Sequence, residues 1–279
     1  MAIAVAGELG GEVISVDSMQ VYRGMDIGTA KPNLIERRGI THHMIDLVDP
    51  DEEFSVAAFA MIGRRVIEES SVPLVISGGS GLHFRALVDP MSFAPTEPAL
   101  RSDLESLDAA TMRERLIHID PDAASHVDLA NPRRMVRALE IHALTGETPS
   151  QRARSAEAHD LRRYVARVEF AAIGIDPGNE LEKRVDRRLT MMRSGGLVDE
   201  VKSLCGRMGR TAWAAVGYRQ IGAYLDGEVG VEEAFTEASR ATKRLARKQR
   251  TWFQRDPRIR WIPWVADPAR LSRRVLEAL

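Results

Sequence analysis

The sequence has one cysteine, Cys205, and aromatic residues make up only 5% of its 279 residues. A single cysteine cannot form an internal disulfide or a cysteine-cluster metal site, which fits a reducing compartment. By default we expect Cys205 to be a small buried side chain. There is no run of about 18 uncharged apolar residues, and no basic region followed by an apolar core and a cleavage site at the N-terminus. We therefore expect a cytoplasmic protein without membrane association.

The sequence also lacks a basic excess, since its formal net charge is −1. This value argues weakly against nucleic-acid binding, because proteins that bind phosphate backbones are usually basic. However, the segment 240–260 contains nine Lys and Arg residues and one acidic residue, Asp256. The charge is therefore strongly segregated along the chain.

The length of the chain and its succession of strand-like and helical segments favour one large α/β core with a smaller inserted or appended domain. MAIAVAGELGG is typical of the end of an Ala-rich helix, stopped by Gly10 and Gly11. EVISV and VPLVIS are short apolar β-branched runs of the kind found in buried parallel strands. The second run leads through Gly78-Gly79-Ser80-Gly81 into a helical pattern, which predicts a doubly wound sheet with ligands at the carboxyl ends of its strands.

The pattern changes between about Met91 and Tyr164, where six prolines from Pro90 to Pro149 separate short helical stretches. We interpret this region as an inserted helical subdomain. RVEFAAIGID then predicts a return of the chain to the sheet, followed by helices to the C-terminus. The predicted divisions are 1–92 for the first part of the core, 93–164 for the insertion and 165–279 for the second part of the core.

Asp17 lies at the end of the first predicted strand, in SVDSMQVYRGMDIGTAKP. It could cap a following helix together with Ser18, and on its own this interpretation has even odds. Alternatively, a carboxylate at this place could orient Mg²⁺ or act as a general base toward a weakly acidic N–H. The glycine turn at 78–81 could present N–H groups to a phosphate, but a tight turn is the more frequent use of such a sequence.

Clusters of basic residues suggest anion binding at three places. Arg240, Lys243, Arg244, Arg247, Lys248 and Arg250 share one face of a predicted helix, and because a solvated face normally mixes signs we favour phosphate contact. Arg133, Arg134 and Arg137 begin a helix of the insertion. Arg184 and Arg188, one helical turn apart, suit a diphosphate, although salt bridges to Glu180, Glu182 or Asp186 explain their spacing equally well.

Taken together, several segments resemble the bacterial tRNA dimethylallyltransferase (IPP transferase) family. They cover nearly the whole chain in order and are EVISVDSMQVYRGMDIGTAKP, THHMIDLVDPDEEFSVAAF, PLVISGGSGLHFRAL, NPRRMVRALEIHALTG, AVGYRQIGAYLDGE and TKRLARKQRTWF. The resemblance implies an α/β fold with a P-loop NTPase-like parallel sheet flanked by helices and an inserted helical subdomain. It also implies transfer of a dimethylallyl group from dimethylallyl diphosphate to N6 of the adenosine 3′-adjacent to the anticodon in tRNA.

The resemblance makes Asp17 the general base. Arg184 and Arg188 are our candidates for binding the diphosphate. The implied partners are the anticodon stem-loop of tRNA and dimethylallyl diphosphate. Mg²⁺ is the cofactor expected from the family, although its P-loop ligand is absent here and we assign it no residue. We expect a monomer. Predicted tRNA contacts are Asp17, Ser18, Met19, Gln20, Ser80, Arg101, Arg133, Arg134, Met135, Val136, Arg137, Ala215, Val216, Gly217, Tyr218, Arg219, Gln220, Lys243, Arg244 and Arg247.

The chain departs from the family pattern in two places. Ser80 and His83 stand where the family commonly has Thr and Tyr. In addition, the family's G-x-x-x-x-G-K-[ST] loop should precede the first helix, and this chain begins inside that helix. A start assigned too late, a truncated polypeptide and a pseudo-enzyme would each explain this; we favour the first, and expect weak or no turnover from the chain as written.

Three other functions compete with this one. An adenylate isopentenyltransferase would prenylate free nucleotide and would not need the arginines of the insertion or a basic C-terminal helix. A small-molecule kinase would use Asp17 for Mg²⁺. A non-catalytic RNA-binding protein would keep the tRNA surface without a diphosphate site.

Overall fold

The computed structural model of the protein describes all 279 residues. Five short strands alternate with helices along the chain. The strands are β1 (Glu12–Ser15), β2 (His42–His43), β3 (Leu74–Ser77), β4 (Ala172–Asp176) and β5 (Ile259–Pro263). The helices are α1 (Ala2–Leu9), α2 (Leu34–Arg37), α3 (Val56–Glu69), α4 (Gly81–Val88), α5 (Pro98–Glu105), α6 (Ala109–Ile119), α7 (Pro132–Thr145), α8 (Pro149–Arg154), α9 (Ala156–Arg162), α10 (Leu181–Ser194), α11 (Leu197–Leu204), α12 (Arg210–Trp213), α13 (Tyr218–Leu225), α14 (Val231–Phe253) and α15 (Pro268–Leu276).

The chain divides into two compact units. One comprises residues 1–88 and 169–279, and the other comprises residues 89–168. The first contains every strand, and the second is entirely helical. In the helical unit, α5, α6 and α7 enclose a small apolar core that includes Leu104, Leu116 and Met135.

A three-stranded parallel sheet with the order β2-β1-β3 forms the first half of the strand-containing unit. Its middle strand has Val13 and Ile14 almost fully buried, because it is covered by a neighbour on each edge and by α1 on one face. α1 ends at Gly10, whose left-handed backbone (φ 63°) lets the chain turn directly into β1. The expected α/β fold with parallel strands and flanking helices is confirmed.

The expected return of RVEFAAIGID to this sheet is wrong. The strand in that segment, β4, pairs in parallel with β5 in a separate two-stranded sheet, with Gly174 opposite Trp261. The expectation that only helices follow is also wrong, because β5 lies between α14 and α15. The pairing of β4 with β5 joins distant segments, and the five-residue IRWIP pattern carries too little periodicity to predict it.

A groove of about 630 Å³ lies between β3 and β4, lined by both strands and by apolar side chains such as Phe84, Phe170 and Phe253. The carbonyls of Pro73 and Ser77 accept hydrogen bonds from β1. Because backbone groups alternate in direction along a strand, those of Leu74 and Ile76 point the other way. The β3 edge that faces away from β1 therefore has no strand partner.

Two further features bear on the sequence-based expectations. None of the helices combines the length and apolar character that a membrane span requires. Cys205 is exposed rather than buried, since it follows the last turn of α11 on the surface. The default expectation for this side chain is therefore wrong.

Candidate active site

A pocket of about 840 Å³ opens at the carboxyl ends of β1 and β3. Asp17, Ser18 and Met19 follow β1, Ser80 follows β3, and all four line the pocket. Because the two strands are parallel neighbours, their carboxyl ends meet at one edge of the sheet. The fold thus brings together two motifs that are far apart in sequence.

Asp17 is half-buried at the end of β1. One carboxylate oxygen accepts a hydrogen bond from the Met19 N–H at 2.8 Å, and the other has no hydrogen-bond partner in the protein. No helix starts here, since the next one along the chain is α2. Asp17 therefore shapes a local turn rather than capping a helix, and one of its oxygens is available to the pocket.

The glycine turn after β3 is packed too closely for larger residues. A Cβ atom at Gly78 would lie 2.6 Å from the Val16 carbonyl oxygen, and one at Gly81 would lie 2.2 Å from the Trp252 ring. The Ser80 N–H donates to the same Val16 oxygen at 3.1 Å. The turn therefore joins the end of β1 to α14, and the Ser80 N–H is already used within the chain.

Ser80 lines the pocket, and its hydroxyl contacts His83, which lies in the first turn of α4. The hydroxyl oxygen and the imidazole Nδ1 are 2.7 Å apart. The imidazole also packs edge-on against the ring of Phe59, with ring centroids 4.6 Å apart. Burial lowers the pKa of His83, while the negative charge of Asp17 acts in the opposite direction.

Arg184 and Arg188 line the same pocket from α10. The salt bridges that could have explained their spacing do not form, because the three neighbouring acidic residues bind other partners: Glu180 binds Lys183, Glu182 binds Arg247 and Asp186 binds Lys243. Instead, the Arg184 guanidinium lies 4.3 Å from the centre of the Trp264 ring, and Arg188 donates to the Thr29 carbonyl at 3.3 Å.

Neither guanidinium group forms an ion pair with a carboxylate of the chain. Partial burial lowers the pKa of Arg184, and repulsion from Arg187 adds to this effect. Partial burial also lowers the pKa of Arg188, and Asp17 opposes it. Arginine still stays protonated, because its ordinary pKa is above about 12. Two solvent-accessible cations that line the pocket without an ion-pair partner favour the binding of an anion.

Arg187 and Lys248 also line the pocket, and sequence reasoning did not select them for it. Arg187 could have been found, because residues 184, 187 and 188 have the i, i+3, i+4 spacing of one helix face. Lys248 lies on α14, and only the packing of α14 against α10 brings it to this wall. Asp17 is the only acidic residue that lines the pocket.

The basic face of α14 is less free than its sequence suggests. Lys243 binds Asp186 at 2.9 Å, Arg247 binds Glu182 at 2.7 Å and Arg250 binds Asp176 at 2.6 Å. Acidic residues from other segments therefore balance a face that carries one sign of charge when α14 is considered alone. Arg244 is exposed and forms no ion pair. Contact of Lys243, Arg244 and Arg247 with tRNA stays a prediction.

The segment 215–220 contributes Ala215, Val216, Gly217 and Tyr218 to the pocket wall. Arg219 is exposed, whereas the Gln220 side chain accepts a hydrogen bond from the Gly217 N–H. Gln20, a further predicted tRNA contact, binds the Ser15 hydroxyl and the Thr29 carbonyl. Its side chain therefore ties β1 to the loop at 26–30.

The remaining predicted tRNA contacts lie in the helical unit. Arg133 and Arg134 are exposed. Arg137 binds the buried Glu140 at 2.6 Å, and Arg101 lies 3.8 Å from the same carboxylate. These two arginines thus neutralise a buried charge. Met135 and Val136 are core residues of this unit with buried side chains, and their contact with tRNA stays a prediction.

Comparison with known proteins agrees with this geometry. A family model described as IPP transferase matches residues 20–256. The tRNA dimethylallyltransferase of Moorella thermoacetica is 42% identical in an alignment that covers 98% of this chain and 87% of that protein. The chain belongs to the IPP transferase family. Another relative, the tRNA dimethylallyltransferase of Streptomyces griseus, is 41% identical over 94% of this chain and 85% of that protein.

Solved structures extend the comparison to the fold of the IPP transferase family. The full-length tRNA isopentenylpyrophosphate transferase of Bacillus halodurans has a TM-score of 0.70 and 34% identity, covering 99% of this chain and 89% of that chain. A eukaryotic dimethylallyltransferase acting on tRNA has a TM-score of 0.74 and 25% identity, covering 94% of this chain and 69% of that chain.

The expected Mg²⁺ has weak support among the residues of this family member. Asp17 is the only carboxylate on the pocket wall, and one of its oxygens is held by Met19. Mg²⁺ requires an octahedral set of oxygen ligands, of which the protein usually supplies one or two carboxylates. The wall is otherwise rich in cations, which does not fit a metal held by the protein alone. Mg²⁺ stays a prediction.

Proposed function

We propose that this IPP transferase family member moves a dimethylallyl group from dimethylallyl diphosphate to N6 of the adenosine 3′-adjacent to the anticodon in tRNA. One observation carries the proposal. Asp17 and the unpaired Arg184 and Arg188 line a single pocket, so a carboxylate that can take a proton lies in the same cavity as cations that can hold a diphosphate. The names of the relatives supply the substrate class.

Asp17 would act as the general base. The adenine amine is a weak nucleophile, because its lone pair is delocalised into the ring. As N6 forms a bond to C1 of the dimethylallyl group, an N–H proton passes to the free oxygen of Asp17, and the C1–O bond to the diphosphate breaks. A base within hydrogen-bond reach typically contributes about 10²–10⁴-fold to such a rate.

Arg184 and Arg188 would bind the diphosphate and stabilise the charge that it gains on leaving. Guanidinium groups are suited to this because their N–H donors match phosphate oxygens in pairs. Arg187 and Lys248 on the same wall add positive charge. The apolar part of the wall, which includes Leu189, Met192 and Leu245, would hold the five-carbon chain and exclude water from the reacting carbon.

The acceptor base must leave the stack of the anticodon loop to enter a pocket, which costs a few kcal/mol. Protein contacts with the RNA backbone would recover this energy. The exposed Arg133 and Arg134, together with Arg244, are the cations best suited to such contacts, since they are not committed to buried carboxylates. The partners that we propose are therefore an anticodon stem-loop and dimethylallyl diphosphate, and we propose a cytoplasmic setting.

The test is transfer of a labelled dimethylallyl group to a synthetic anticodon stem-loop. The wild-type protein is assayed beside Asp17→Asn and Asp51→Asn, the second of which changes an exposed carboxylate outside the pocket. We expect Asp17→Asn to lower the rate at least about 100-fold with unchanged stem-loop affinity, and Asp51→Asn to have no effect. Equal rates for the two variants would exclude Asp17 as the base, and no product from the wild-type protein would refute the proposed activity.

A free adenine nucleotide is the alternative acceptor. The ion pairs of Lys243 and Arg247 favour this alternative, because they weaken the argument that the α14 face is reserved for RNA. Competition between AMP and the stem-loop at equal concentration separates the two. We expect product on the stem-loop alone, and prenylated AMP as the main product would overturn that assignment.

A further inference from the structure

The side chain of Ser80 is held between the pocket and α4. Its backbone N–H is fixed by the carbonyl at the end of β1, and its carbonyl accepts from the Phe84 N–H at the start of α4. The backbone position is thereby fixed, and the contact with His83 Nδ1 holds the hydroxyl oxygen, so that rotation about the C–O bond sets where its proton points. The direction of this rotation decides whether Ser80 offers the pocket a proton or a lone pair.

His83 is the group that can set this direction, because its Nδ1 is 2.7 Å from the hydroxyl oxygen. The ring cannot easily turn away, since its edge-on packing against the fully buried Phe59 fixes its plane. His83 does not line the pocket itself. Any influence on a ligand must therefore pass through Ser80.

The charge of His83 is set by few neighbours. Asp17 faces it from the end of β1 and raises its pKa, and burial outweighs this effect. α3 presents the uncharged Phe59, while Arg64 on that helix binds the Ala86 carbonyl in the last turns of α4. α14 presents Trp252 and Phe253 to the start of α4. With an ordinary value near 6.5, a lowered pKa leaves the imidazole neutral at pH 7.

We propose that Nδ1 of neutral His83 accepts a hydrogen bond from the Ser80 hydroxyl. The lone pairs of the Ser80 oxygen and the carboxylate of Asp17 then present two acceptors to the pocket, and together they select a ligand that carries an amino group. This inference rests on the proposed function, because the amino group is N6 of the acceptor adenosine. Its two N–H groups match the two acceptors. A base with a carbonyl at the same position would place its carbonyl oxygen beside the oxygens of Ser80 and Asp17. Contacts between two acceptors without a donor cost binding free energy when they are buried.

The selection weakens when His83 is protonated. Nδ1–H then donates to the Ser80 oxygen, and the hydroxyl proton turns toward the pocket. A carbonyl becomes acceptable at that position. His83 is thus a positioning residue, and its effect depends on pH in a way that simple packing against Phe59 does not.

Stem-loop binding tests the idea without requiring turnover. Affinities are measured for stem-loops with adenosine or inosine at the target position, over a pH series that runs from 7.5 down through the pKa of His83, which NMR of the imidazole locates. We expect wild type to prefer adenosine about tenfold at pH 7.5, the effect of one typical hydrogen bond, and to lose most of this preference once His83 is protonated. His83→Phe should lack the preference throughout the series, whereas His83→Asn, which keeps an acceptor at the δ position, should retain it throughout.

A double-mutant cycle and a spectrum complete the test. In a Ser80→Ala background His83→Phe should change the preference no further, whereas additive losses would indicate a purely structural role and overturn the inference. Nitrogen NMR of the free protein should show a neutral His83 with its proton on Nε2. A proton on Nδ1 at pH 7.5 would overturn the inference even if RNA binding fails, and loss of RNA binding with the expected tautomer would count against the proposed function alone.

Discussion

The carboxylate of Glu200 accepts a hydrogen bond from the Tyr218 hydroxyl at 2.5 Å and three more from the consecutive N–H groups of Asp26, Ile27 and Gly28. Burial and this hydrogen bond raise the pKa of the Tyr218 hydroxyl well above its usual range. One carboxylate on α11 thus fixes both the start of α13 and the loop at 26–28. Tyr218, predicted as a tRNA contact, serves as an anchor of the pocket wall.

Glu200→Ala should therefore lower both stability and transfer. Four hydrogen bonds to one charged group are lost, and we expect the free energy of unfolding to fall by about 2–4 kcal/mol. The transfer rate should fall as well, because Gly28 and Thr29 line the pocket. Urea unfolding measures the first effect. Glu228→Ala, at an exposed position, is the matched control, and equal unfolding curves for the two variants would refute the anchoring role.

Arg188→Gln should weaken diphosphate binding at least about tenfold without destabilising the protein. The guanidinium has no ion-pair partner in the protein and donates one hydrogen bond, to the Thr29 carbonyl, so its removal costs the free chain little and costs the complex an ionic contact. Titration with dimethylallyl diphosphate and with inorganic pyrophosphate measures the affinity. Arg65→Gln, on an exposed part of α3, should bind like wild type. A loss of stability with unchanged affinity would contradict the proposed role.

In acid, protonation of the Asp120 carboxylate should lower the protection of the helical unit from hydrogen exchange. Burial raises the pKa of Asp120, but hydrogen bonds from the N–H and the hydroxyl of Ser150 outweigh this effect and lower it. The stabilisation of the folded state by these hydrogen bonds is present above the pKa of about 3.9 that Asp120 has in the unfolded chain. It is lost as the pH falls through the lower pKa that Asp120 has in the folded protein. Exchange of the Leu116 and Leu139 amides reports it.

Ser150→Ala should reduce this dependence on pH without abolishing it, because it removes the hydroxyl donor and leaves the backbone N–H of residue 150. Asp103→Asn, at an exposed position of the same unit, should leave the dependence intact. An unchanged acid transition in Ser150→Ala would show that other carboxylates control it.

Gly81→Ala should disturb the pocket, since its Cβ atom would lie 2.2 Å from the Trp252 ring. Overpacking of this kind costs about 1–3 kcal/mol. Thermal unfolding and tryptophan fluorescence should both change. Gly230→Ala is the control, because nothing lies within 4 Å of its Cβ position and its φ of −73° suits any residue. Equal stability of the two variants would mean that α14 adjusts freely.

Hydrogen exchange should distinguish the two sides of β3. The amides of Val75 and Ser77 point toward β1 and should be protected, whereas those of Leu74 and Ile76 point toward the groove and should exchange faster. Equal protection of all four amides would indicate that the groove is occupied in solution.

The sequence by itself determined the parts of this protein that depend on local pattern. Short β-branched runs predicted β1 and β3, Gly10 predicted the end of α1, and the motif around Asp17 together with the glycine turn predicted the edge of the sheet where the pocket lies. These features follow from backbone preferences and from neighbours only a few residues away, which any sequence displays directly.

The tertiary structure alone decided which charges are free and which strands pair. Arg184 and Arg188 differ from Lys243 and Arg247 only in what the fold places beside them: α14 brings its cations to the acidic residues of α10 and leaves the two arginines without partners. The pairing of β4 with β5 and the packing of His83 against Phe59 have the same origin. Such contacts join distant segments, and their energies depend on burial and distance, which a linear pattern does not contain.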